Sequence, residues 1–206
     1  IDTDQSKNPF LKLEYIKYPT LAELWLYSDF SPKLWMEMLD ELFEILNKFK
    51  KHSGIVTVED YDLIYKTKTE DRLSELTNSN ESFKKILTSD VLLINGKKYR
   101  NWPAIKEDIE LRIHDLHHED DNCLIHGDLC FSNIFCDFKN KNFKLIDPRG
   151  KWGSTMFGDL KYDVAKLRHS VVGGFDTITN GLCTASVSKG NHIAMKIFEP
   201  KNHQEV

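Results

Sequence analysis

Apolar residues recur at helical spacing most clearly in the segment that follows Pro32. Ser31 can cap a helix, and proline suits the first helical turn, so these two residues mark a helix start. The apolar stripe is formed by Leu34, Trp35, Met38, Leu39, Leu42, Ile45, Leu46 and Phe49. A stripe this wide belongs in a core, so we predict a long amphipathic helix with one buried face.

Weaker patterns predict the other elements. Residues 11–27 indicate a strand, a turn at Pro19 and a short amphipathic segment, and residues 57–76 indicate a second, more polar helix. Asn95-Gly96 between two strand-like runs favours a type I′ hairpin. Further elements are predicted as a short helix at 82–87, a helix from Pro103, a helix over 158–172, a weak hairpin around 189–191 and a polar tail. The fold class expected is α+β, helix-rich with small β-hairpins.

Composition narrows the class of protein. The 206 residues are 40% hydrophobic and 29% charged, which is ordinary for a globular chain that buries one core. No apolar run reaches the roughly 18 residues that span a bilayer, so no membrane partner is expected. A net charge of −4 argues against a nucleic-acid partner, which needs a concentrated basic face. Four cysteines without CxxC spacing favour reduced thiols in a cytoplasmic protein over a zinc site.

Chemistry-bearing residues concentrate in one stretch. His126-Gly127-Asp128 follows a short apolar strand, Asn133 lies five residues after Asp128, and Asp147 lies fourteen residues after Asn133. The segment between Asn133 and Asp147 reads as a strand hairpin, which would return the second carboxylate to the first. Two carboxylates and an amide oxygen are hard ligands that suit Mg²⁺ rather than zinc. Such a set is what phosphoryl transfer from a nucleotide requires.

This stretch resembles the catalytic loop and metal-binding turn of protein kinases, where HRDxxxxN precedes DFG. It is more similar to the aminoglycoside phosphotransferase and choline kinase branch, whose loop reads HGDxxxxN. That branch also carries a GDxxxDxA-like helix after the metal turn, and residues 158–165 here read Gly-Asp-Leu-Lys-Tyr-Asp-Val-Ala. The resemblance covers three motifs in the same order over about fifty residues.

The resemblance implies a role for each matching residue. Asp128 would be the catalytic base that orients the substrate hydroxyl and accepts its proton. Asn133 and Asp147 would bind Mg²⁺, and Asp147 would bridge the metal to the nucleotide phosphates. His126 would brace the loop, and Asp163 would hydrogen-bond the loop backbone from the following helix.

The resemblance also implies a division into lobes. Residues 1–30 would be the end of an N-terminal lobe and a hinge, where Tyr15 and Ile16 could meet an adenine edge. Residues 31–206 would be the C-terminal lobe, with its catalytic loop over 123–150. No glycine-rich phosphate loop precedes residue 14, and no strand lysine with a helix glutamate is present. We therefore expect the N-terminal lobe to be largely absent here and to be supplied by the same, longer chain.

Two residues near the motif leave alternatives open. Arg149 stands where an aromatic or acidic residue is more usual, and it could contact phosphate or substrate, or pair with a nearby acid. Trp152, together with Trp102 and Phe157, could wall a pocket for a choline-like cation or could belong to the core.

The predicted function is that of a small-molecule kinase. It would transfer the γ-phosphoryl group of ATP or GTP, with Mg²⁺, to the hydroxyl of a sugar, amino alcohol, aminoglycoside or choline. One alternative is a kinase-like binding module without turnover. The other is a metal-dependent phosphohydrolase. It would use either the same carboxylates or a group of histidines in which His114 and His118 lie one helical turn apart.

Overall fold

Helix α2, Pro32–Phe49, has the N-terminus that the sequence predicts. The Ser31 hydroxyl accepts a hydrogen bond from the backbone N–H of Leu34 at 3.3 Å, as an N-cap does. The computed structural model describes the backbone of residues 2–4 and 10–198 and the side chains of residues 12–198. Residues 1, 5–9 and 199–206, from the predicted end of an N-lobe and the polar tail, lie outside the described residues.

Seven further helices are present, and the last of them is not predicted by the sequence. They are Leu21–Tyr27 (α1), Val58–Asp62 (α3), Lys68–Ser79 (α4), Glu81–Leu87 (α5), Trp102–Leu116 (α6), Lys161–Val171 (α7) and Phe175–Thr179 (α8), all within the part of the chain that the structure describes. A π-helical turn, Leu63–Thr67, joins α3 to α4, so the helix predicted over 57–76 is confirmed with an irregular turn inside it. Within the same described residues, no helix is both long and apolar enough to cross a membrane.

The strands form one four-stranded sheet and three two-stranded pairs. They are Asp2–Asp4 (β1), Phe10–Lys12 (β2), Val91–Ile94 (β3), Lys97–Arg100 (β4), Asn122–Leu124 (β5), Ile134–Asp137 (β6), Asn142–Leu145 (β7), Phe157–Asp159 (β8), Cys183–Ser188 (β9) and His192–Ile197 (β10). The pairs are β1–β2, β5–β8 and β6–β7, and the larger sheet has the order β4-β3-β10-β9. About half of the chain is helical and about a fifth is strand, which confirms the α+β class.

The larger sheet joins two hairpins from distant parts of the chain. Asn95 and Gly96 turn between β3 and β4 with φ of 51° and 78°, as the predicted type I′ turn requires. Strand β10 then pairs in parallel with β3 and antiparallel with β9. The two hairpins are confirmed, whereas their union into one sheet is not predictable from local patterns.

The predicted start of the helix at residue 158 is wrong. Gly158 and Asp159 belong to β8, which pairs antiparallel with β5, and α7 begins at Lys161. The pairing needs a glycine, because a Cβ on Gly158 would lie 2.4 Å from the Ile125 side chain. Leu160 is the N-cap residue, and Asp159 just before it accepts a hydrogen bond from the Lys161 backbone N–H at 2.8 Å.

Three aromatic side chains tie the motif loop to the core. Trp25 of α1 and Trp35 of α2 meet edge to face with ring centroids 4.9 Å apart. Phe131 is fully buried and stacks on Trp35, with an angle of 9° between the rings and a centroid distance of 6.1 Å. Because Phe131 lies between Asp128 and Asn133, this packing holds the loop against α1 and α2.

Candidate active site

The turn that presents Asp128 is held from helix α7. Asp163 is completely buried, and its two carboxylate oxygens accept hydrogen bonds from the backbone N–H groups of His126 at 2.7 Å and Gly127 at 2.9 Å. Burial raises the pKa of Asp163, and the two backbone hydrogen bonds act in the opposite direction. Gly127 has a φ of 76°, in the left-handed region that favours glycine.

His126 joins this turn to the second acidic turn. Its Nε2 donates a hydrogen bond to the backbone oxygen of Ile146 at 3.0 Å, and its Nδ1 accepts one from the Asp128 N–H at 3.3 Å. This pattern assigns the ring proton to Nε2. The backbone oxygen of His126 also accepts a hydrogen bond from the N–H of Arg149 at 2.9 Å. The imidazole therefore links the two turns by hydrogen bonds.

The Asp128 carboxylate is half-buried and ion-paired. Its Oδ1 lies 2.8 Å from the Nζ of Lys166 on α7, and its side chain is 30% exposed. Burial alone would raise the pKa of Asp128, but the hydrogen bond and charge of Lys166, with the charges of Arg149 and Lys68, hold it below the ordinary value. Asp128 is thus an ionised, oriented carboxylate with part of its surface open to a ligand.

Asn133 and Asp147 lie at the end of the β6–β7 hairpin that is nearer to Asp128. The Asn133 side-chain amide donates a hydrogen bond to the backbone oxygen of Asp128 at 2.9 Å, and the Asn133 backbone oxygen accepts one from Ile146 N–H at 3.0 Å. Asp147 is exposed and has a φ of 54°, uncommon for a residue other than glycine. Asp128, Asp147, Pro148 and Arg149 line one cavity of about 240 Å³.

The donor set fits Mg²⁺ held jointly with phosphate. Mg²⁺ is usually bound by one or two carboxylates with substrate phosphates and water, rather than by a cage of protein ligands. Asp147 supplies an exposed carboxylate. The amide nitrogen of Asn133 donates its hydrogen bond within the protein, so the amide oxygen is available as a metal ligand. Residues 12–198 contain no cluster of three or more His, Cys, Asp or Glu that could hold a metal, and His114 and His118 form none.

Arg149 and Trp152 contact each other. The Arg149 guanidinium carbon lies 4.5 Å from the Trp152 ring centroid, and the Nζ of Lys68 lies at the same distance of 4.5 Å. Trp152 is 5% exposed, and within the described chain Arg149 forms no ion pair. The Trp152 ring therefore already contacts two cations of the protein. Arg149 makes no salt bridge with a described residue, and its charge acts on the carboxylate of Asp128.

Several residues at the site escape prediction from the sequence. Lys166 follows Asp163 by three positions, which places both on one helix face, so its position near the site could have been predicted. Lys68 reaches the site from α4, far upstream, and carries no local signal. Asp60 is buried and fixes the turn after Trp152, because its carboxylate accepts hydrogen bonds from the N–H of Ser154 at 2.9 Å and from its hydroxyl at 2.6 Å.

The predicted hinge runs beside the β6–β7 hairpin. Tyr15 is 88% exposed and Ile16 is half-buried, in an irregular segment between β2 and α1. Its neighbours fasten the segment to the hairpin: Glu14 forms an ion pair with Lys144, and the oxygen of Pro19 accepts a hydrogen bond from the N–H of Cys136 at 2.9 Å. The nucleotide contacts of Tyr15 and Ile16 stay a prediction.

Comparisons of the chain with protein-family models, with curated proteins and with solved structures find no match. Function is therefore inferred from the geometry of the site.

Proposed function

We propose that the chain is the C-terminal lobe of a phosphotransferase of the protein-kinase-like type. More narrowly, it is a small-molecule kinase similar to aminoglycoside phosphotransferases and choline kinases, which transfers the γ-phosphoryl group of ATP or GTP to a hydroxyl. One observation carries the proposal: Asp128 and Asp147 line a single cavity, and the Asn133 side chain donates a hydrogen bond to the backbone oxygen of Asp128. This proximity supports the proposal, because phosphoryl transfer uses a base close to the ligands of Mg²⁺.

Each residue has a distinct role in the proposed reaction. The acceptor oxygen attacks the γ-phosphorus, the bond to the β–γ bridging oxygen breaks, and ADP or GDP leaves. The hydroxyl proton passes to the carboxylate of Asp128, which Lys166 holds in place at 2.8 Å. Asn133 and Asp147 would hold Mg²⁺, which neutralises phosphate charge when bound. His126 and Asp163 act indirectly, by fixing the backbone that presents Asp128.

The test measures release of ADP from ATP, or of GDP from GTP, with Mg²⁺ and a panel of sugars, amino alcohols, aminoglycosides and choline. The protein carries its upstream sequence, because a glycine-rich hairpin and a strand lysine are expected there. Asp128→Ala should lower the acceptor-dependent rate by roughly a hundredfold to ten-thousandfold, since it removes base and positioning together. Asp40→Ala, on the exposed face of α2, is the matched control and should keep the rate.

The same assay separates the two alternatives. A binding module would bind Mg²⁺-nucleotide without releasing ADP in the presence of any acceptor. A phosphohydrolase would release phosphate at the same rate without an acceptor, and would lose that rate in Asp128→Ala. An acceptor-dependent rate that is equal in Asp128→Ala and in the unmodified protein would refute the proposed role of Asp128.

A further inference from the structure

Positive side chains gather around the proposed base. Lys68 and Lys166 both lie near Tyr162, with Nζ atoms 5.6 Å and 5.9 Å from its ring centroid. Lys68 also donates a hydrogen bond to the Tyr162 hydroxyl at 2.9 Å. Tyr162 meets Trp152 edge to face at 5.4 Å, and Arg149 lies over Trp152. The Tyr162–Trp152 pair therefore contacts three cations, those of Lys68, Lys166 and Arg149.

A fourth cation belongs to the same group. Arg72 follows Lys68 by one helical turn on α4, and its side chain is exposed. Burial lowers the pKa of Lys68 to about 8, and the charges of Arg149, Arg72 and Lys166 act in the same direction. We call Lys68, Arg72, Arg149 and Lys166 the basic cluster.

The protein balances only part of this charge, because Asp128, which pairs with Lys166, also attracts Lys68 and Arg149. Lys166 pairs with Asp128, whereas Lys68, Arg72 and Arg149 form no ion pair with any residue that the structure describes. The whole chain is acidic, with a net charge of −4, so the charge of four neighbouring cations is opposite to that of the chain as a whole. Mutual repulsion of like charges at close range is unfavourable unless an anion offsets it.

From this geometry we infer that the acceptor of the proposed reaction is an anion: a hydroxyl compound that also carries a phosphate or a carboxylate group. The inference rests on the proposed function. The acceptor hydroxyl would lie at Asp128, and its anionic group would contact the free cations of the basic cluster. A choline-like or aminoglycoside acceptor is disfavoured, because the Trp152 ring that would receive a cation already contacts Lys68 and Arg149.

Three members of the basic cluster come from elements other than those of the proposed Mg²⁺ ligands, whereas Arg149 follows Asp147 by two residues and lines the same cavity. Lys68 and Arg72 project from α4 and Lys166 from α7, whereas Asn133 and Asp147 end the β6–β7 hairpin. We therefore assign the nucleotide phosphates to the hairpin ligands and the acceptor's anionic group to the cations of the helices. If the cluster instead held nucleotide phosphate, removing one of its charges would affect all acceptors alike.

The experiment compares acceptors of the same carbon skeleton with and without an anionic group. Glycerol is paired with glycerol 3-phosphate and glucose with glucuronate, with choline as the cationic acceptor, and kcat/KM is measured for each. We expect the anionic member to be favoured by at least about tenfold. Arg72→Gln and Lys68→Gln should each remove about tenfold of kcat/KM for the anionic acceptor only. Arg168→Gln, an exposed arginine on α7, is the matched control and should change neither.

Two results would overturn the inference. One is a preference for the neutral or cationic acceptor, and the other is an equal loss for charged and neutral acceptors in Arg72→Gln, which would assign the cluster to the nucleotide. Titration with inorganic phosphate separates this inference from the proposed function. Phosphate binding that weakens in Arg72→Gln, without transfer to any acceptor, would support the anion site and refute the kinase. No phosphate binding by the unmodified protein would refute the anion site.

Discussion

Replacing Asp163 should destabilise the protein much more than a surface aspartate does. Its carboxylate is fully buried and accepts two backbone hydrogen bonds, from His126 at 2.7 Å and from Gly127 at 2.9 Å. Asp163→Ala would leave both N–H groups without that acceptor. Each buried unsatisfied donor costs about 1–3 kcal/mol, so the loss should be about 2–6 kcal/mol. That is a large share of a typical unfolding free energy of about 5–15 kcal/mol.

Asp163→Asn offers a graded comparison at nearly constant shape. The amide oxygen can accept one of the two hydrogen bonds, while the amide nitrogen faces the other N–H as a second donor. We therefore expect about half of the alanine effect, about 1–3 kcal/mol.

The assay is urea denaturation at neutral pH followed by tryptophan fluorescence, with Asp40→Ala as the exposed control, expected within about 0.5 kcal/mol of the unmodified protein. If Asp163→Ala and Asp40→Ala had the same unfolding free energy, the two hydrogen bonds would not hold the turn. If Asp163→Asn were as stable as the unmodified protein, the amide nitrogen would not face a backbone N–H as a second donor.

Three further substitutions, with a fourth as a control, can be tested by the same denaturation assay. Asp176 is 1% exposed, one of its oxygens has no hydrogen-bond partner, and burial raises its pKa above the ordinary 3.8. The folded carboxyl therefore keeps its proton to higher pH than the unfolded one, so its contribution to stability falls as pH rises from about 3.8 through the folded pKa. Asp176→Asn should gain stability relative to the unmodified protein over that rise, and a difference that does not change with pH would contradict this. Gly127→Ala should cost about 1–3 kcal/mol for its left-handed backbone, plus a clash with Trp152 at 2.9 Å. Gly96→Ala has a similar φ of 78° with nothing within 4 Å, so an equal loss in both would exclude the clash. Phe131→Ala should cost about 3–5 kcal/mol, and a loss below about 1 kcal/mol would show that the aromatic core does not anchor the loop.

Elements built from neighbouring residues could be predicted from the sequence. Helix α2 follows from its apolar period and the Ser31 cap, and the β3–β4 hairpin follows from Asn95-Gly96. Both depend on interactions within a few residues. The β5–β8 pair could not be predicted, because Gly158 looks like a helix start until β5 lies beside it. Long-range pairing overrides local preference at that point.

The candidate site divides in the same way. The meeting of Asp128, Asn133 and Asp147 follows from a single hairpin and is consistent with the structure, although their chemical roles stay a prediction. Lys68 comes from α4, in another part of the chain, and the packing of that helix against Tyr162 leaves no signal at Lys68 itself. Side chains that arrive from distant elements are the ones that a reading of motifs misses.

The parallel pairing of β3 and β10 also bears on how the protein folds. The Asn95 side chain donates a hydrogen bond to the oxygen of Met195 at 2.7 Å and accepts one from its N–H at 2.8 Å, across 100 positions of sequence. Closing so long a loop costs chain entropy before any strand contact repays it, and such distant contacts slow folding. During synthesis β3 stays unpaired on one side until β10 has left the ribosome. By then the whole segment that carries Asp128 and Asp147 has already emerged, so the β6–β7 hairpin can form before the sheet closes.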